Sequence, residues 1–324
     1  MIENKENIIE SKINTKIYKV VLLDNNDLLI QLEFNILCLK NPDYKLEDLL
    51  DIYIENIKFH SICLWKNNQF IIVSTDNLYL IQLYNNNKEY KINLKYCLYN
   101  IINVRFKRFI QILPLNNFTQ FLLNSYGKFI IYDELPNKSF VSRMIFKNIK
   151  SFQSFIEIRN NEIVCNSEAD EKVYFIDTNK GLITTINNIK TFILDRDIFC
   201  LINKNILSMA GDLRNGIYFF DINKRVLIYQ YKEDWRGYNC LLKIGNNKFL
   251  GESYEGRNYA ESEDEEEELF CTKFFEYNEK ENKLKAYKFS KSRIRELRRS
   301  NFIKLNNIDK IAYIQKESVF IENI

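Results

Sequence analysis

The stretch "WKNNQF" at 65–70 sets two adjacent asparagines between the apolar runs "ICLW" and "FIIV". The arrangement recurs as "LDNNDL" at Asn25-Asn26, "PLNNFT" at Asn116-Asn117, "IRNNEI" at Asn160-Asn161, "GNNKFL" at Asn246-Asn247 and "LNNIDK" at Asn306-Asn307. An interrupted version, "INKNIL", carries Asn203 and Asn205. From the first asparagine of each, the steps along the chain are 42, 49, 44, 43, 43 and 60 residues. Asparagine makes up 42 of the 324 residues, so chance alone produces adjacent pairs and the register carries the argument. A chain with this beat is built from a unit of a little over forty residues, repeated seven times.

Two further markers keep the same period. An aspartate closes an aromatic-rich run at Asp133, Asp177 and Asp221, in "FIIYDELPNKSF", "VYFIDTNKGLI" and "IYFFDINKRVL". "FFEYNEKENKL" is the next member, displaced by an insertion. A Cys-Leu step precedes the turn in "ICLW", "FCLI" and "NCLL". The runs between markers are short and rich in β-branched and aromatic residues, as strands are. Many are apolar on both faces, which suits strands buried between stacked sheets. Asparagine tolerates a positive φ better than any residue except glycine, and the chain has only 8 glycines. Each asparagine pair is therefore expected to turn the first strand of a unit into the second, the alternative being polar filler in a loop of other geometry.

These features predict an all-β fold: a single seven-bladed β-propeller of four-stranded blades over residues 1–324. The blades are expected at about 17–54, 57–95, 105–147, 150–189, 194–232, 237–290 and 300–324. The last lacks a fourth strand, and the apolar-polar segment at 6–13 is expected to supply it and close the ring, leaving no open sheet edge.

"KVYFIDTNKGL" resembles the third strand and turn of a WD repeat, with Phe-Ile-Asp where that family has a Trp-Asp pair. "FHSICLWKNNQFIIVSTDNLYLIQLY" at 59–84 is similar to a WD repeat over most of a unit: His60 matches the histidine opening the first strand and Asp76 the loop aspartate. The tryptophan position does not match, and no other unit has the histidine. The resemblance implies a propeller used as a platform for protein partners, and a structural hydrogen bond from His60 to Asp76.

Catalytic equipment is sparse. One histidine in the chain removes histidine clusters, most zinc sites and the usual nucleophile–histidine pairs. No glycine-rich phosphate-binding motif occurs. No enzyme activity, cofactor or metal is expected. The 7 cysteines are scattered singly, mostly inside apolar runs, which reads as reduced, buried thiols in an intracellular protein, cytoplasmic or nuclear. No apolar run reaches the roughly 18 residues a membrane span needs, and the start is polar and acidic. The net charge of +3 gives no global pull towards nucleic acid or membrane.

The charge is patterned locally. "EGRNYAESEDEEEELF", an acidic loop at 255–268 in the sixth blade, reads either as a solvated insertion or as an arm for a basic partner, with Ser262 as a candidate phosphosite among carboxylates. "KAYKFSKSRIRELRR" at 285–299 is basic and ends in Arg298 and Arg299. It reads as an exposed linker, as a contact for phosphoinositide, another anionic lipid or nucleic acid, or as a protein-binding segment that the acidic loop can cover. Connections between second and third strands, and those leading from one blade to the next, emerge on one face. That face is expected to carry Phe59, Arg105, Arg196, Asp212, Arg214, Trp235, Arg236 and Tyr254 beside both charged segments. Arg196, Arg214, Trp235, Arg236, Tyr254, Arg298 and Arg299 are the candidate partner-binding residues. Trp235-Arg236 joins two side chains enriched at binding hot spots, although the indole is equally suited to packing under the junction of blades five and six. The expected function is a non-catalytic protein-protein interaction scaffold, with a membrane-surface or nucleic-acid binder working through 285–299 as the alternative.

Overall fold

In the computed structural model the described residues are 9–44, 52–53, 58–66, 69–74, 77–84, 89–97, 110–115, 118–125, 128–136, 140–146, 152–167, 169–190, 198–211, 215–233, 236–255, 270–288, 302–306, 310–315 and 317–323. They form seven four-stranded antiparallel sheets, with no helix among them. Strand β1 (Ile9–Lys12) opens the chain. Blade 1 follows with β2 (Lys19–Leu22), β3 (Leu28–Gln31), β4 (Asn35–Leu39) and β5 (Ile52–Tyr53). Blade 2 has β6 (Phe59–Leu64), β7 (Gln69–Ser74), β8 (Asn77–Tyr84) and β9 (Glu89–Cys97). Blade 3 has β10 (Ile110–Leu115), β11 (Gln120–Ser125), β12 (Lys128–Glu134) and β13 (Phe140–Phe146). Blade 4 has β14 (Phe152–Arg159), β15 (Glu162–Ser167), β16 (Lys172–Asp177) and β17 (Ile183–Asn187). Blade 5 has β18 (Phe199–Leu201), β19 (Ile206–Ala210), β20 (Ile217–Asp221) and β21 (Val226–Tyr231). Blade 6 has β22 (Arg236–Gly245), β23 (Lys248–Glu255), β24 (Phe270–Asn278) and β25 (Lys283–Lys288). Blade 7 has β26 (Phe302–Lys304), β27 (Lys310–Gln315) and β28 (Ser318–Asn323), and β1 is its outer strand, with Ile9 opposite Ile321 and Lys12 opposite Ser318.

The sheets fall into two compact units, Met1–Lys147 with Ser300–Ile324, and Asn148–Arg299. In the first unit, blade 2 shows why its strands are apolar on both faces. Successive side chains of a strand point to opposite faces. Phe70 and Ile72 of β7 join Val21, Leu29, Ile36 and Cys38 of blade 1, whereas Ile71 and Val73 join Ile112, Phe121, Leu123 and Ile130 of blade 3. The run "FIIV" thus feeds two cores at once. The third strand does the same: Leu78 and Leu80 face blade 3, Tyr79 and Ile81 face blade 1. Blade 1 repeats the pattern, with Leu28 and Ile30 against Leu305, Ala312 and Val319 of blade 7 and Leu29 towards blade 2. Each fully buried side chain of this size contributes about 1.5–3 kcal/mol. Trp65, 1% exposed, anchors the contact between blades 2 and 3, edge-on to Phe118, Phe121 and Phe140 with ring centroids 6.0–6.1 Å apart. In the second unit one continuous core runs through blades 4, 5 and 6, from Val164 and Phe175 through Phe219 to Phe249 and Phe275.

Candidate interaction surfaces

Antiparallel order puts two kinds of connection at opposite ends of every sheet. The turns joining first to second and third to fourth strands share one end. The second-to-third connections and the entries from one blade to the next share the other.

The first end is built by the repeated markers. Every asparagine pair of the repeating series lies between the first and second strands of its sheet, whereas Asn85–Asn87 falls between the third and fourth strands of blade 2 and Asn187-Asn188 at the end of β17. Asn26, Asn161 and Asn247 have φ of 67°, 65° and 58°, so the second member of the pair is the left-handed residue in the turns where the pair is fully described. The first member caps the turn. The side-chain oxygen of Asn25 accepts from the Asp27 amide (3.1 Å), and that of Asn203 from the amides of Asn205 (2.9 Å) and Ile206 (3.0 Å). The aspartate marker performs the same task in the other turn. Asp177 accepts from the amides of Asn179 and Lys180 (both 2.9 Å), and Asp221 from those of Asn223 and Lys224 (both 2.8 Å). Asn278 takes the equivalent place in blade 6, accepting from the Lys280 and Glu281 amides. Four residues after each stands a left-handed residue: Gly181 (φ 68°), Arg225 (φ 55°) and Asn282 (φ 48°). Asp133 departs from this pattern, because its carboxylate receives the Gln120 side-chain amide at 2.7 Å.

The asparagines also join sheets, which their spacing does not reveal. Asn26 Nδ2 donates to the Asn306 carbonyl (3.0 Å) while its Oδ1 accepts from the Asn306 amide (2.7 Å), tying blade 1 to blade 7. Asn203 Nδ2 donates to Asn247 Oδ1 (2.9 Å) and to Glu279 (2.8 Å), tying blade 5 to blade 6. Arg225 crosses from blade 5 to Thr184 (2.8 Å) and Glu162 (3.0 Å) of blade 4.

At the second end the expected binding residues are only partly placed. Arg236 opens β22 opposite Glu255, and Tyr254 of β23 lies opposite Gly237, so the backbones of Arg236 and Tyr254 are brought together. Beside them Glu233 is held in a polar box. Its carboxylate accepts from Lys273 Nζ (2.6 Å to each oxygen), the Tyr231 hydroxyl (2.5 Å) and the Tyr238 hydroxyl (3.0 Å). Burial pushes this carboxyl up, but the ammonium and the two hydroxyls outweigh it and hold it below the usual range. Arg196, Arg214, Trp235, Ser262, Arg298, Arg299 and the segment 256–268 lie outside the described residues, as do Asp76, Arg105 and Asp212. His60 is the extra residue of a register shift in β6 between Phe59 and Ser61. Phe59 is not on the surface: it is 2% exposed and packs between blades 1 and 2.

Chemistry on the described surface is limited. Cys38, Cys63, Cys165, Cys200 and Cys240 are buried and form no disulfide among the described residues. Burial pushes the thiols of Cys38, Cys63 and Cys200 up to about 12, and that of Cys165 well up also, so none of these four is a nucleophile near neutral pH. Among the described residues no group of three His, Cys, Asp or Glu side chains is placed to hold a metal ion, and no helix is long and apolar enough to cross a membrane.

The chain matches no family profile and no curated protein. Its fold is shared widely, by 931 solved chains. One belongs to a structure of a mitotic checkpoint complex, with a TM-score of 0.66 and 8% identity over 100% of this chain and 94% of that one. Another is virginiamycin B lyase from Staphylococcus aureus, with a TM-score of 0.65 and 10% identity over 98% and 99%. The chain is a seven-bladed β-propeller. Seven four-stranded blades, the last completed by the N-terminal strand, are the architecture that the repeat spacing and the missing last strand predicted. At this identity the likeness extends to the fold and no further.

Proposed function

We propose that this propeller is a non-catalytic scaffold for protein partners, acting as one domain. It binds them at the end of its sheets where second strands pass to third and one blade leads to the next. The observation that carries this is the Glu233 box. A half-buried carboxylate with an ammonium and two phenols lies at the approach to β22, whose first residues Arg236 and Gly237 pair with Glu255 and Tyr254 of β23. Arginine, tryptophan and tyrosine are among the side chains most enriched at binding hot spots, and Trp235, Arg236 and Tyr254 are adjacent in sequence or in strand register. The fold match to a chain from a checkpoint complex is in keeping with assembly into larger particles. Arg196, Arg214, Arg298 and Arg299 extend the same surface, and the acidic loop at 255–268, with Ser262 as its phosphosite, takes a basic partner. Singly placed, buried cysteines without disulfides among the described residues fit a reducing intracellular compartment.

Quantitative affinity capture on three variants tests this reading. Trp235→Ala and Arg236→Ala are expected to lose the same partners, while Lys283→Ala, at the opposite end, retains them. Equal loss in all three, or retention in all three, overturns the assigned face. Capture dominated by lipid or nucleic acid, abolished by Arg298→Ala with Arg299→Ala, overturns the protein-scaffold reading.

A further inference from the structure

The chain is rich in asparagine but has a single Asn-Gly step, Asn215-Gly216, in the connection from β19 to β20 of blade 5. Asparagine is chemically labile, above all where the backbone amide that follows it can reach its side-chain carboxamide. Glycine in the following place removes the Cβ that ordinarily crowds this approach. Asn124 and Asn166 precede serine, the next smallest follower, but they are 5% and 0% exposed within β11 and β15.

The fold adds two conditions that the dipeptide alone does not supply. After Asn25, Asn26 and Asn205 the following amide is already committed: that of Asn26 donates to the Leu23 carbonyl (3.0 Å), that of Asp27 to Asn25 Oδ1 (3.1 Å) and that of Ile206 to Asn203 Oδ1 (3.0 Å). The Gly216 amide donates no hydrogen bond among the described residues. The carbonyl of the same peptide unit, that of Asn215, accepts from Gln230 Nε2 at 2.8 Å. When the amide loses its proton, the charge is shared between the nitrogen and that oxygen, and a donor on the oxygen favours the charged form. Asn215 is partly open to solvent, which admits the water that the chemistry uses.

We propose that Asn215-Gly216 is a site of spontaneous deamidation, promoted by Gln230. The Gly216 nitrogen, its proton taken by hydroxide, attacks Asn215 Cγ. The new N–Cγ bond closes a five-membered ring, the Cγ–Nδ2 bond breaks, and ammonia leaves with a proton from water. Water then opens the ring on one side or the other. Breaking the N–Cγ bond gives aspartate at 215, a new carboxylate on an unchanged backbone. Breaking the bond to the backbone carbonyl gives isoaspartate, whose chain runs through the former side chain and is longer by a methylene. Gly216 cannot shift freely to take up that length. At φ 65° a Cβ on it lies 1.9 Å from the Tyr231 carbonyl oxygen, and its own carbonyl holds the Gly211 amide (2.7 Å). Tyr231 in turn donates its hydroxyl to Glu233 (2.5 Å). Isoaspartate therefore loosens blade 5 next to the Glu233 box and marks aged molecules at the end assigned to partners (the chemistry itself does not rest on that assignment).

The full-length protein, aged at physiological temperature and mildly alkaline pH and then mapped by proteolysis and mass spectrometry, tests this. Asn215 is expected to convert roughly tenfold faster than any other described asparagine, a barrier difference of about 1.4 kcal/mol, and more slowly at mildly acidic pH. Hydroxylamine, which cleaves at the ring, is expected to cut between 215 and 216. Gln230→Ala is expected to slow conversion roughly fivefold in the folded chain, about 1 kcal/mol, and to leave it unchanged in urea. A merely structural loss at Gln230 loosens the turn and speeds conversion instead. Asn215→Gln, which closes a ring only slowly, is expected to keep its charge on ageing. The isoaspartate form is expected to melt below the fresh protein, and Asn215→Asp to melt with it. An Asn215 that stays intact in the folded chain yet converts in urea overturns the proposal, as does another described asparagine converting equally fast. Conversion unchanged or faster in folded Gln230→Ala overturns the part given to Gln230, and an isoaspartate form as stable as the fresh protein overturns the effect on blade 5.

Discussion

In blade 5 the outer strand β21 follows β20 after a turn of four residues, Ile222–Arg225. In blade 7 the outer strand is β1, whose Lys12 pairs with Ser318, 306 residues further along the chain. Strand order and antiparallel sense are the same in both sheets. Loop-closure entropy grows only with the logarithm of length, so the longer closure costs at most about 4 kcal/mol more. The structure places compensating bonds where the distant ends meet. The Ile13 amide donates to the Glu317 carbonyl (2.8 Å), Ser318 Oγ to Glu10 (3.1 Å), Ser11 Oγ to the Tyr44 carbonyl, and Asn26 exchanges two bonds with Asn306. Blade 5 instead spends its polar groups on its own turn, through Asp221. A local strand needs a well-made turn; a remote one needs side chains that recognise its destination.

Removal of residues 1–14 puts this contrast to its hardest test. It strips β28 of its partner and uncovers Val319 and Ile321, so cooperative melting is expected to be lost or replaced by aggregation, as followed by circular dichroism and light scattering. A truncated chain with the melting curve of the intact one breaks the comparison. In blade 5 the corresponding damage is steric. A Cβ on Gly216, at φ 65°, lies 1.9 Å from the Tyr231 carbonyl oxygen at the far end of β21, and Gly216→Ala is expected to lower stability by about 2–3 kcal/mol in urea unfolding. Asp221→Ala frees two turn amides and is expected to cost about 1–2 kcal/mol by the same measurement, with Asp221→Asn recovering most of the loss.

Asn26 separates the local from the remote contribution. Asn26→Gly keeps the left-handed turn and removes the bonds to Asn306; Asn26→Ala removes both. Losses of about 0.5–1 kcal/mol for glycine and about twice that for alanine are expected. A glycine variant as stable as the wild type shows that the link between blades 1 and 7 contributes nothing. The smallest effect belongs to Glu233. Its carboxyl is held below the ordinary value, so its contribution is complete above the unfolded-state value of about 4.3 and fades as pH falls through the lower folded value. Glu233→Gln is therefore expected to lower the melting temperature near neutral pH and to match the wild type in strong acid. A deficit equal at both pH values shows that the charge of Glu233 is not what the box uses.

The blade plan was legible because it is written seven times. Asn26, Asn161 and Asn247 repeat one backbone need, a left-handed residue in a tight turn, and Asp177, Asp221 and Asn278 repeat another. Repetition makes a local signal stand out from a background rich in asparagine. The contact of Asn203 with Asn247 and Glu279 was not legible, because it depends on how neighbouring turns face each other and not on either turn alone. Phe59 shows the same limit: its place at the start of a strand suggested a surface position, yet that strand end is covered between blades 1 and 2. The Glu233 box eluded the sequence for a third reason. Its members come from the connection before β22, from β21, from β22 and from β24, and among the described residues no other blade repeats the set.

The remote pairing of β1 has a consequence for synthesis. At about 5–20 residues per second, the segment Ile9–Lys12 leaves the ribosome roughly 15–60 seconds before Ser318 and Ile321 exist. During that interval β1 has no partner, while the strands of blades 2 to 6 each find theirs within their own repeat. Its sequence, "IESK", suits the wait: two of four residues are charged, and only Ser11 is buried once the strand is docked. The nascent chain thus carries a short, half-charged strand until β28 has been made.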